Sequence, residues 1–210
     1  MPTPACSHSA AKRTLDLLGA GLLLLGLAPV CGFVALCVLL DDGRPLLFTQ
    51  TRAGCRGEPF RILKFRTLTH EPDDPTHPSA HTTRIGGFLR RWALDELPQL
   101  WNVLRGDMSL VGPRPTLPEQ VEQYGPYERT RLRVPPGLTG WAQIHGRNAV
   151  SWPERIDLDV WYVRNRHPLL DLRILLYTPV TLLSGTGVWG EGGRNPAFSP
   201  RDESSTSAST

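Results

Sequence analysis

An uncharged apolar run near the N-terminus limits what this chain can fold into more than any other feature. From Leu17 to Leu40 the sequence LLGAGLLLLGLAPVCGFVALCVLL contains no charged side chain. Its length exceeds the roughly 20 residues that a membrane-spanning helix needs. The overall hydrophobic content of 40% is ordinary for a globular protein, so the position of the apolar residues is the informative signal. We therefore expect this part of the chain to enter a membrane.

Pro29 divides the apolar run almost at its middle. Because proline removes a backbone donor and clashes with the preceding turn, the helix should break or kink there. Each half is then about 18 Å long, shorter than the roughly 30 Å hydrocarbon core. Lys12 and Arg13 precede the run and arginines follow it, which favours both ends on the cytoplasmic side. Residues 12–40 are therefore predicted to form a re-entrant membrane helix.

Two other interpretations of this segment remain. A kinked helix that crosses the membrane is possible, since proline is tolerated in such helices. A cleaved signal peptide is less favoured because the run is longer than a usual signal core and no small-residue cleavage site follows it. A lipoprotein signal would need a small residue at Leu36, and the apolar run continues past Cys37.

The net charge is only +3, but basic residues are concentrated between Arg44 and Arg91: Arg52, Arg56, Arg61, Lys64, Arg66, Arg84 and Arg90. This concentration indicates an anionic membrane surface or a phosphate-bearing ligand. Nucleic acid is not expected as a partner, because no recognition motif accompanies the charge. The cysteines show no disulfide or metal-ligand spacing, which is typical of a reducing, cytosol-facing protein: Cys6, Cys31, Cys37 and Cys55.

The remaining pattern predicts an α+β fold that is mainly helical. The stretch PLLFTQTRAGCRGEPFRILKFRTL alternates apolar and basic residues around glycines and predicts a β-hairpin. Helical spacing follows at four places: from Ile85 to Trp92, from Leu97 to Leu104, from Trp152 to Arg164 and from Leu169 to Leu183. The last of these carries Asp171 and Arg173 and is expected to be a docked or interfacial helix rather than a second membrane span. The first is predicted either at the membrane surface or in the core.

The loop THEPDDPTHPSAHTT carries His70, His77 and His81. Three histidines could indicate a metal site, but they show no regular ligand spacing. We expect them to be solvated side chains. The Gly-, Ser- and Thr-rich segment after Ser184 cannot bury much apolar surface and is expected to be disordered.

Asp95 and Glu96 stand side by side in WALDELPQLWNVL, just before an apolar helical pattern. One interpretation is structural, since Asp is a good N-cap and acidic residues suit a first turn. The other is chemical, since a carboxylate can act as a nucleophile. The stretch alone favours the cap.

Two further stretches combine arginine with a restrained backbone. Prolines on both sides of Arg114 in SLVGPRPTLP fix the local chain, so a rigid loop presents one guanidinium to a phosphate or to solvent. The second stretch, PPGLTGWAQIHGRN, ends near Arg147, and its glycines would allow a ligand to approach the backbone. Neither contains a dinucleotide or P-loop motif. Carboxylates, guanidiniums and a lysine together indicate phosphate transfer.

The motifs KRTLDLL, KFRTL, LDELPQLWNVLRGDMSLVGPRP, PGLTGWAQIHGRN and LDVWYV occur in the order found in bacterial sugar transferases. The chain resembles the small monotopic phosphoglycosyl transferases of that family from about Lys12 to Leu183. The resemblance implies transfer of a sugar 1-phosphate from a UDP-sugar to undecaprenyl phosphate, with release of UMP and with Mg²⁺. Such enzymes initiate the synthesis of exopolysaccharide, capsule, O-antigen or glycoprotein glycans.

The resemblance also implies the roles of individual residues. Asp95 matches the nucleophile that forms a covalent phosphosugar intermediate and would also hold the metal, and Glu96 matches its catalytic neighbour. Lys64, Arg114 and Asp159 match other active-site positions, and Arg147 matches a phosphate-binding position. We expect Asp95 to stay ionised at a helix start because the helix dipole and nearby cations favour its charged form.

The implied organisation is a flexible N-terminus at residues 1–11, a membrane helix at 12–40, a catalytic domain at 41–184 and a disordered tail at 185–210. The catalytic domain would face the cytoplasm at the bacterial inner membrane and contact membrane lipids. Two residues depart from the family pattern: His145 replaces the usual Asn, and Ala93 replaces Ser or Thr. The sugar and the oligomeric state are left open. A non-enzymatic membrane scaffold, a phosphatase and a single-displacement transferase are the alternatives.

Overall fold

The computed structural model describes Cys6 and residues 9–69 and 82–184. Its helices are α1 (Ala10–Gly26), α2 (Ala28–Asp42), α3 (Gly86–Arg91), α4 (Gln99–Arg105), α5 (Pro118–Glu122), α6 (Trp141–Ile144), α7 (Trp152–Asn165) and α8 (Pro168–Ser184). Its strands are β1 (Leu47–Ala53), β2 (Pro59–Phe65), β3 (Ser109–Val111) and β4 (Gly137–Thr139). The fold mixes helices and strands with helices predominating, as the sequence predicted.

Helices α1 and α2 meet at a sharp break inside the apolar run. Their axes are bent by 60°, the break lies at Leu27, and Pro29 occupies the first turn of α2. Among the described residues no helix is by itself long and apolar enough to cross a membrane, and this bent pair meets the criterion only jointly. The predicted break is confirmed, while the re-entrant topology stays a prediction.

A buried carboxylate fixes α1 to the rest of the chain. Asp16 is 1% exposed and accepts hydrogen bonds from the Ser109 hydroxyl at 2.8 Å and from the Leu110 amide at 3.2 Å. Lys12 bridges Asp16 at 2.8 Å and Asp171 of α8 at 2.9 Å. Because buried charges are costly unless paired, this network holds α1 against β3 and α8 in one arrangement.

The predicted hairpin is confirmed. Strands β1 and β2 pair antiparallel, with Leu47 opposite Phe65 and Lys64 near the open end. Asn102 of α4 is fully buried and accepts a hydrogen bond from the Leu63 amide at 3.1 Å. This bond ties β2 to α4 directly beside Lys64.

The two glycine-proline stretches approach each other backbone to backbone. Strands β3 and β4 pair parallel, and Gly112 follows β3 while Gly137 begins β4. A Cβ atom built on Gly112 would lie 2.5 Å from the Pro135 carbonyl oxygen, and one on Gly137 would overlap the Gly112 amide. Glycine is therefore required at both positions, and the approach sets the place of the following residue, Pro113, and of Arg114.

The main core lies between α1, α4, the β3–β4 pair, α7 and α8. Its buried members are Ala20, Ile62, Leu100, Val103, Met108, Leu110, Val111, Tyr162, Leu170 and Ile174. Helix α8 forms over the segment predicted from its apolar pattern, and it exposes Leu169, Leu172, Leu176 and Leu183. Its Leu170 and Ile174 are buried, so the helix is docked on the core, while its interfacial position stays a prediction.

The cysteine prediction is wrong in one respect. Cys6 and Cys55 are bonded as a disulfide, with their Cα atoms 6.2 Å apart, although 49 positions separate them in sequence. Spacing could not reveal the pair, because only the tertiary fold places Cys6 next to Cys55 in the loop between β1 and β2. Cys31 and Cys37 are free.

The histidine-rich loop at 70–81 and the tail at 185–210 lie outside the described residues, as do most of the first nine positions.

Candidate active site

Asp95 and Glu96 lie in a single 3₁₀ turn, Leu94–Glu96, between α3 and α4. Ala93, directly before the turn, has a left-handed backbone with φ of 52°. Asp95 is 7% exposed, and the N-cap of α4 is Pro98, with no side-chain capping bond. The structural interpretation of Asp95 as a helix cap is therefore wrong.

Glu96 lies between two cations supplied by distant parts of the chain. Its Oε1 atom is 2.7 Å from Lys64 Nζ on β2 and 2.6 Å from Arg114 Nη2 in the loop after β3. Its Oε2 atom accepts a longer bond of 3.4 Å from Arg114 Nη1. The structure thus brings four predicted site residues together, namely Lys64, Asp95, Glu96 and Arg114.

The two neighbouring carboxylates differ in their electrostatic surroundings. Burial alone would raise the pKa of Glu96, but the charges and hydrogen bonds of Arg114 and Lys64 hold that pKa well below its ordinary value. Glu96 therefore stays ionised over the whole physiological range. The pKa of Arg114 is raised in turn, mainly by the Glu96 charge.

Asp95 behaves in the opposite way. Burial and the adjacent Glu96 charge raise the pKa of Asp95 to about 6, against the opposing effects of Lys64, Arg90 and Arg114. The Asp95 carboxylate forms no hydrogen bond within the part of the chain that the structure describes. Lys64, Arg90 and Arg114 favour the charged form of Asp95, as the sequence analysis expected, but desolvation and the Glu96 charge outweigh them and set the direction of the pKa shift. Asp95 is still ionised at pH 7.

A buried ion pair supports the loop that carries Arg114. Arg131 Nη2 is 2.5 Å from Asp159 Oδ2 and donates to the Arg114 carbonyl oxygen at 2.9 Å, while Arg131 Nη1 donates to the Tyr124 hydroxyl at 2.7 Å. The side chains of Arg131 and Asp159 are each 1% exposed. Asp159 therefore lies behind Arg114 and acts on it through Arg131. Its predicted contact with substrate stays a prediction.

Arg147 lies in the neighbouring cleft. Its backbone is left-handed with φ of 54°, and the preceding Gly146 has φ of 135°. Arg155 of α7 donates to the Arg147 carbonyl oxygen at 3.0 Å and to the Val150 carbonyl oxygen at 3.3 Å. These two hydrogen bonds stabilise the turn that contains the left-handed Arg147. The cleft has a volume of about 350 Å³, open mouth included, and is lined by Arg114, Ala142, Gln143, Arg147, Asn148 and Arg155.

Sequence reasoning did not identify Arg131 or Arg155 as site residues. Arg155 precedes Asp159 by four positions on α7, so the two share one helix face, and this spacing was a usable signal. Arg131 lies in the 3₁₀ segment Glu128–Arg133 among several other basic residues, and its sequence context does not distinguish it. Only the tertiary fold shows that it is buried beside Asp159.

Comparison with known proteins decides the family. The model of the bacterial sugar transferase family matches residues 7–185, which is most of the chain. The chain is similar to an uncharacterized sugar transferase of Bacillus subtilis named EpsL, with 44% identity over 84% of this chain and 89% of that protein. The chain belongs to the bacterial sugar transferase family.

Relatives whose names state an activity have a sequence identity to this chain close to that of EpsL. The UDP-glucose:undecaprenyl-phosphate glucose-1-phosphate transferase of Caulobacter vibrioides is 41% identical over 87% of this chain and 73% of its own length. The undecaprenyl-phosphate glucose phosphotransferase of Komagataeibacter xylinus is also 41% identical, over 80% of this chain. The match spans only 35% of that protein, so the family includes much longer members. This bacterial sugar transferase is accordingly an enzyme, and the scaffold alternative is set aside.

The carboxylates of this sugar transferase fit the Mg²⁺ that its family resemblance implies. No group of three or more His, Cys, Asp or Glu side chains able to hold a metal occurs in the described ranges. Mg²⁺ is commonly bound through one or two carboxylates, several waters and substrate phosphates, so a dedicated cage is not required. Both Glu96 oxygens already face Lys64 or Arg114, whereas the Asp95 oxygens do not form such bonds. Asp95 is therefore the better candidate ligand.

The two departures from the family pattern fall beside this site. His145 is exposed, packs 4.1 Å from the Trp141 ring and has its Nδ1 atom 2.7 Å from the Trp141 carbonyl oxygen. Ala93 is the left-handed residue that precedes the carboxylate turn. A left-handed backbone costs an ordinary residue about 1–2 kcal/mol, so the fold stores strain next to Asp95.

Proposed function

We propose that this protein transfers a sugar 1-phosphate from a UDP-sugar to undecaprenyl phosphate and releases UMP, through a covalent intermediate on Asp95. The names of its relatives from Caulobacter and Komagataeibacter support the two substrates. The observation that carries the mechanism is a contrast near the same cations: Glu96 is paired with them, whereas Asp95 makes no hydrogen bond among the described residues. Initiation of an extracellular glycan is the corresponding cellular role.

The first step is a displacement at phosphorus. A carboxylate oxygen of Asp95 attacks the sugar-bearing phosphorus, a new O–P bond forms, and the P–O bond to UMP breaks with its electron pair going to UMP. Asp95 suits this role because it is ionised at pH 7 and its oxygens are not held in hydrogen bonds. Lys64 and Arg114 would stabilise the negative charge that gathers on the phosphate oxygens.

Glu96 has an electrostatic role in this proposal. Because Lys64 and Arg114 hold it ionised, it is a poor proton acceptor at neutral pH. Instead it fixes both cations beside Asp95, so they are in place before the donor binds. Asp95 would hold Mg²⁺, and the ion would supply further neutralisation of the diphosphate charge.

In the second step a phosphate oxygen of undecaprenyl phosphate attacks the same phosphorus, and the bond to Asp95 breaks. Two separate steps allow the water-soluble nucleotide to leave before the lipid arrives. The apolar exteriors of the α1–α2 pair and of α8 support access to a lipid acceptor, since Leu22, Leu25 and Leu40 of the pair are each more than 70% exposed.

We place the protein at the inner membrane of a bacterium, with the catalytic domain in the cytoplasm. Lys12 and Arg13 before α1 and the arginines after α2 support a pair of helices that enters and leaves on the same side. Cysteines introduced at Ser9 and Gly43 should both resist a membrane-impermeant thiol reagent in intact cells. Labelling at one of the two sites would indicate a spanning helix.

The function is tested by a transfer assay with purified enzyme, Mg²⁺, undecaprenyl phosphate and a panel of radiolabelled UDP-sugars. The expected result is label in a lipid-extractable product and one UMP released for each product formed, with Asp95→Asn as the inactive control. Label recovered only as free sugar phosphate or inorganic phosphate would indicate a phosphatase instead.

A further inference from the structure

Gln143 is a buried amide whose hydrogen-bonding groups are unused. It lies on the short helix α6 and lines the same cleft as Arg114 and Arg147. Both its Oε1 and Nε2 atoms are buried and have no hydrogen-bond partner among the described residues. Buried polar groups almost always have partners, so a bound molecule is a natural source of the missing bonds.

The cleft around Gln143 carries several positive charges. The Nη1 atom of Arg147 is also buried and has no partner within the described ranges. Burial and the neighbouring charge of Arg114 lower the pKa of Arg155 to about 10. Three guanidiniums on one wall repel each other, and an anion bearing more than one charge would relieve that repulsion. The cleft therefore has the electrostatics of a diphosphate site.

The position of Gln143 depends on an absent side chain. A Cβ atom built on Gly140 would lie 2.6 Å from Gln143 Oε1 and would also overlap the Gly112 carbonyl oxygen. The carboxamide therefore occupies space that any larger residue at position 140 would fill. The carboxamide lies against the backbone of Gly112 and Gly140, next to the β3–β4 strand pair.

Arg114 connects this cleft to the nucleophile. It lines the cleft and at the same time contacts Glu96, the neighbour of Asp95. The proposed reaction requires the sugar-bearing phosphate at Asp95 and the leaving phosphate farther along the row of cations. A leaving phosphate at Arg147 would direct its attached nucleoside toward the part of the cleft that contains Gln143.

We propose that the cleft holds the nucleoside diphosphate half of the donor and that the Gln143 carboxamide binds the imide edge of the uracil base. The amide N–H donates to a uracil carbonyl oxygen, and the amide oxygen accepts the N3–H. A carboxamide presents a donor and an acceptor side by side, which matches such a planar edge. The inference rests on the proposed function, because it assumes a uridine donor.

The experiment compares three probes by calorimetry on the full-length protein: UDP, N3-methyl-UDP and inorganic pyrophosphate. The wild type is expected to bind UDP about tenfold more tightly than N3-methyl-UDP, since methylation removes one hydrogen bond and leaves an acceptor unsatisfied. Gln143→Met, which is similar in volume, should bind UDP about tenfold more weakly and lose this preference. Its affinity for pyrophosphate should not change.

Arg147→Met is the matched control. It should weaken UDP and pyrophosphate by similar factors and keep the preference for UDP over its methylated analogue. Because the probes lack the transferred sugar, a hydroxyl of that sugar cannot produce the expected pattern.

Three results would overturn the inference. They are equal wild-type affinity for the two nucleotides, a preference that survives in Gln143→Met, and an equal loss of UDP and pyrophosphate binding in that variant. If the variant failed to fold, the wild-type comparison would still decide. A wild type that binds no UDP would contradict the proposed function as well. Normal UDP binding that Gln143→Met leaves unchanged would contradict only this inference.

Discussion

The chain buries aspartates in two neighbouring regions with opposite consequences. Asp159 is 1% exposed and paired with Arg131 at 2.5 Å, and this pair supports the Arg114 loop from behind. Asp95 is 7% exposed, forms no hydrogen bond with described residues, and has its pKa raised to about 6. A carboxylate paired in the interior stabilises a scaffold, whereas one left without hydrogen bonds remains available for chemistry.

The largest expected effect is on activity, from Asp95→Asn. Removing a nucleophile should lower kcat by at least about 10⁴-fold, because no other group in the site can form the intermediate. The free energy of unfolding should stay the same or rise slightly, since burial disfavours the Asp95 charge. Steady-state kinetics and urea unfolding measure the two effects. Substantial residual turnover would assign the nucleophile elsewhere.

Asp159→Asn should lower stability more than activity, the reverse of Asp95→Asn. Breaking a buried ion pair leaves Arg131 uncompensated and should lower the free energy of unfolding by about 3–5 kcal/mol. Replacing both partners, as in Arg131→Met with Asp159→Leu, should recover much of the stability. Urea unfolding followed by tryptophan fluorescence tests this pair of variants. An Asp159→Asn protein of normal stability but poor substrate affinity would support the direct substrate contact inferred from family resemblance.

Arg114→Ala should affect activity more than stability. The side chain is 39% exposed, so its removal leaves no large cavity, but the transition state loses a cation. We expect kcat to fall by about 10²–10³-fold, and Arg114→Lys to recover part of this loss because an ammonium lacks the planar fork. Kinetics of both variants, with thermal unfolding as a control, test the expectation. Unchanged kinetics in Arg114→Ala would limit this arginine to a structural pairing with Glu96.

The pH dependence should be the smallest effect. Because the pKa of Asp95 is about 6, kcat/KM should rise through pH 6 and fall about tenfold per unit below it. Stability has the reverse sign: the folded pKa lies above the unfolded value, so the contribution of Asp95 is present at low pH and lost as pH rises through 6. Unfolding measured from pH 4 to 8 should show this component in the wild type and not in Asp95→Asn. A fall in kcat/KM that begins only near pH 4 would contradict the raised pKa of Asp95.

Local patterns predicted the elements of this fold well. The helical spacing from Trp152 to Arg164 matches α7, and the alternation before Leu68 matches the β1–β2 hairpin, because the periodicity of a helix or a strand is a local property of the chain. The break near Pro29 followed from backbone chemistry alone. The pairing of Cys6 with Cys55 could not be predicted, since it depends on the tertiary fold and not on local sequence spacing.

In the candidate site, too, the motifs identified some residues, while other features depend on the tertiary fold. The motifs identified Lys64, Asp95, Glu96 and Arg114, and the structure brings these four together. The raised pKa of Asp95 could not be predicted from the sequence, because desolvation and the Glu96 charge depend on the surrounding packing. The supporting role of Arg131 was missed for a similar reason, since a buried arginine and a solvated one look alike in sequence.

The central claim is that Asp95 accepts the sugar phosphate covalently, and the most direct measurement is the intact mass of the enzyme. Protein incubated with a UDP-sugar and Mg²⁺, without lipid, should release one UMP per molecule and gain the mass of one sugar phosphate. The Asp95→Asn enzyme should do neither, and the wild type with both substrates should give parallel lines in double-reciprocal plots. Normal lipid-dependent turnover with no adduct and with intersecting lines would contradict the covalent route and establish direct displacement.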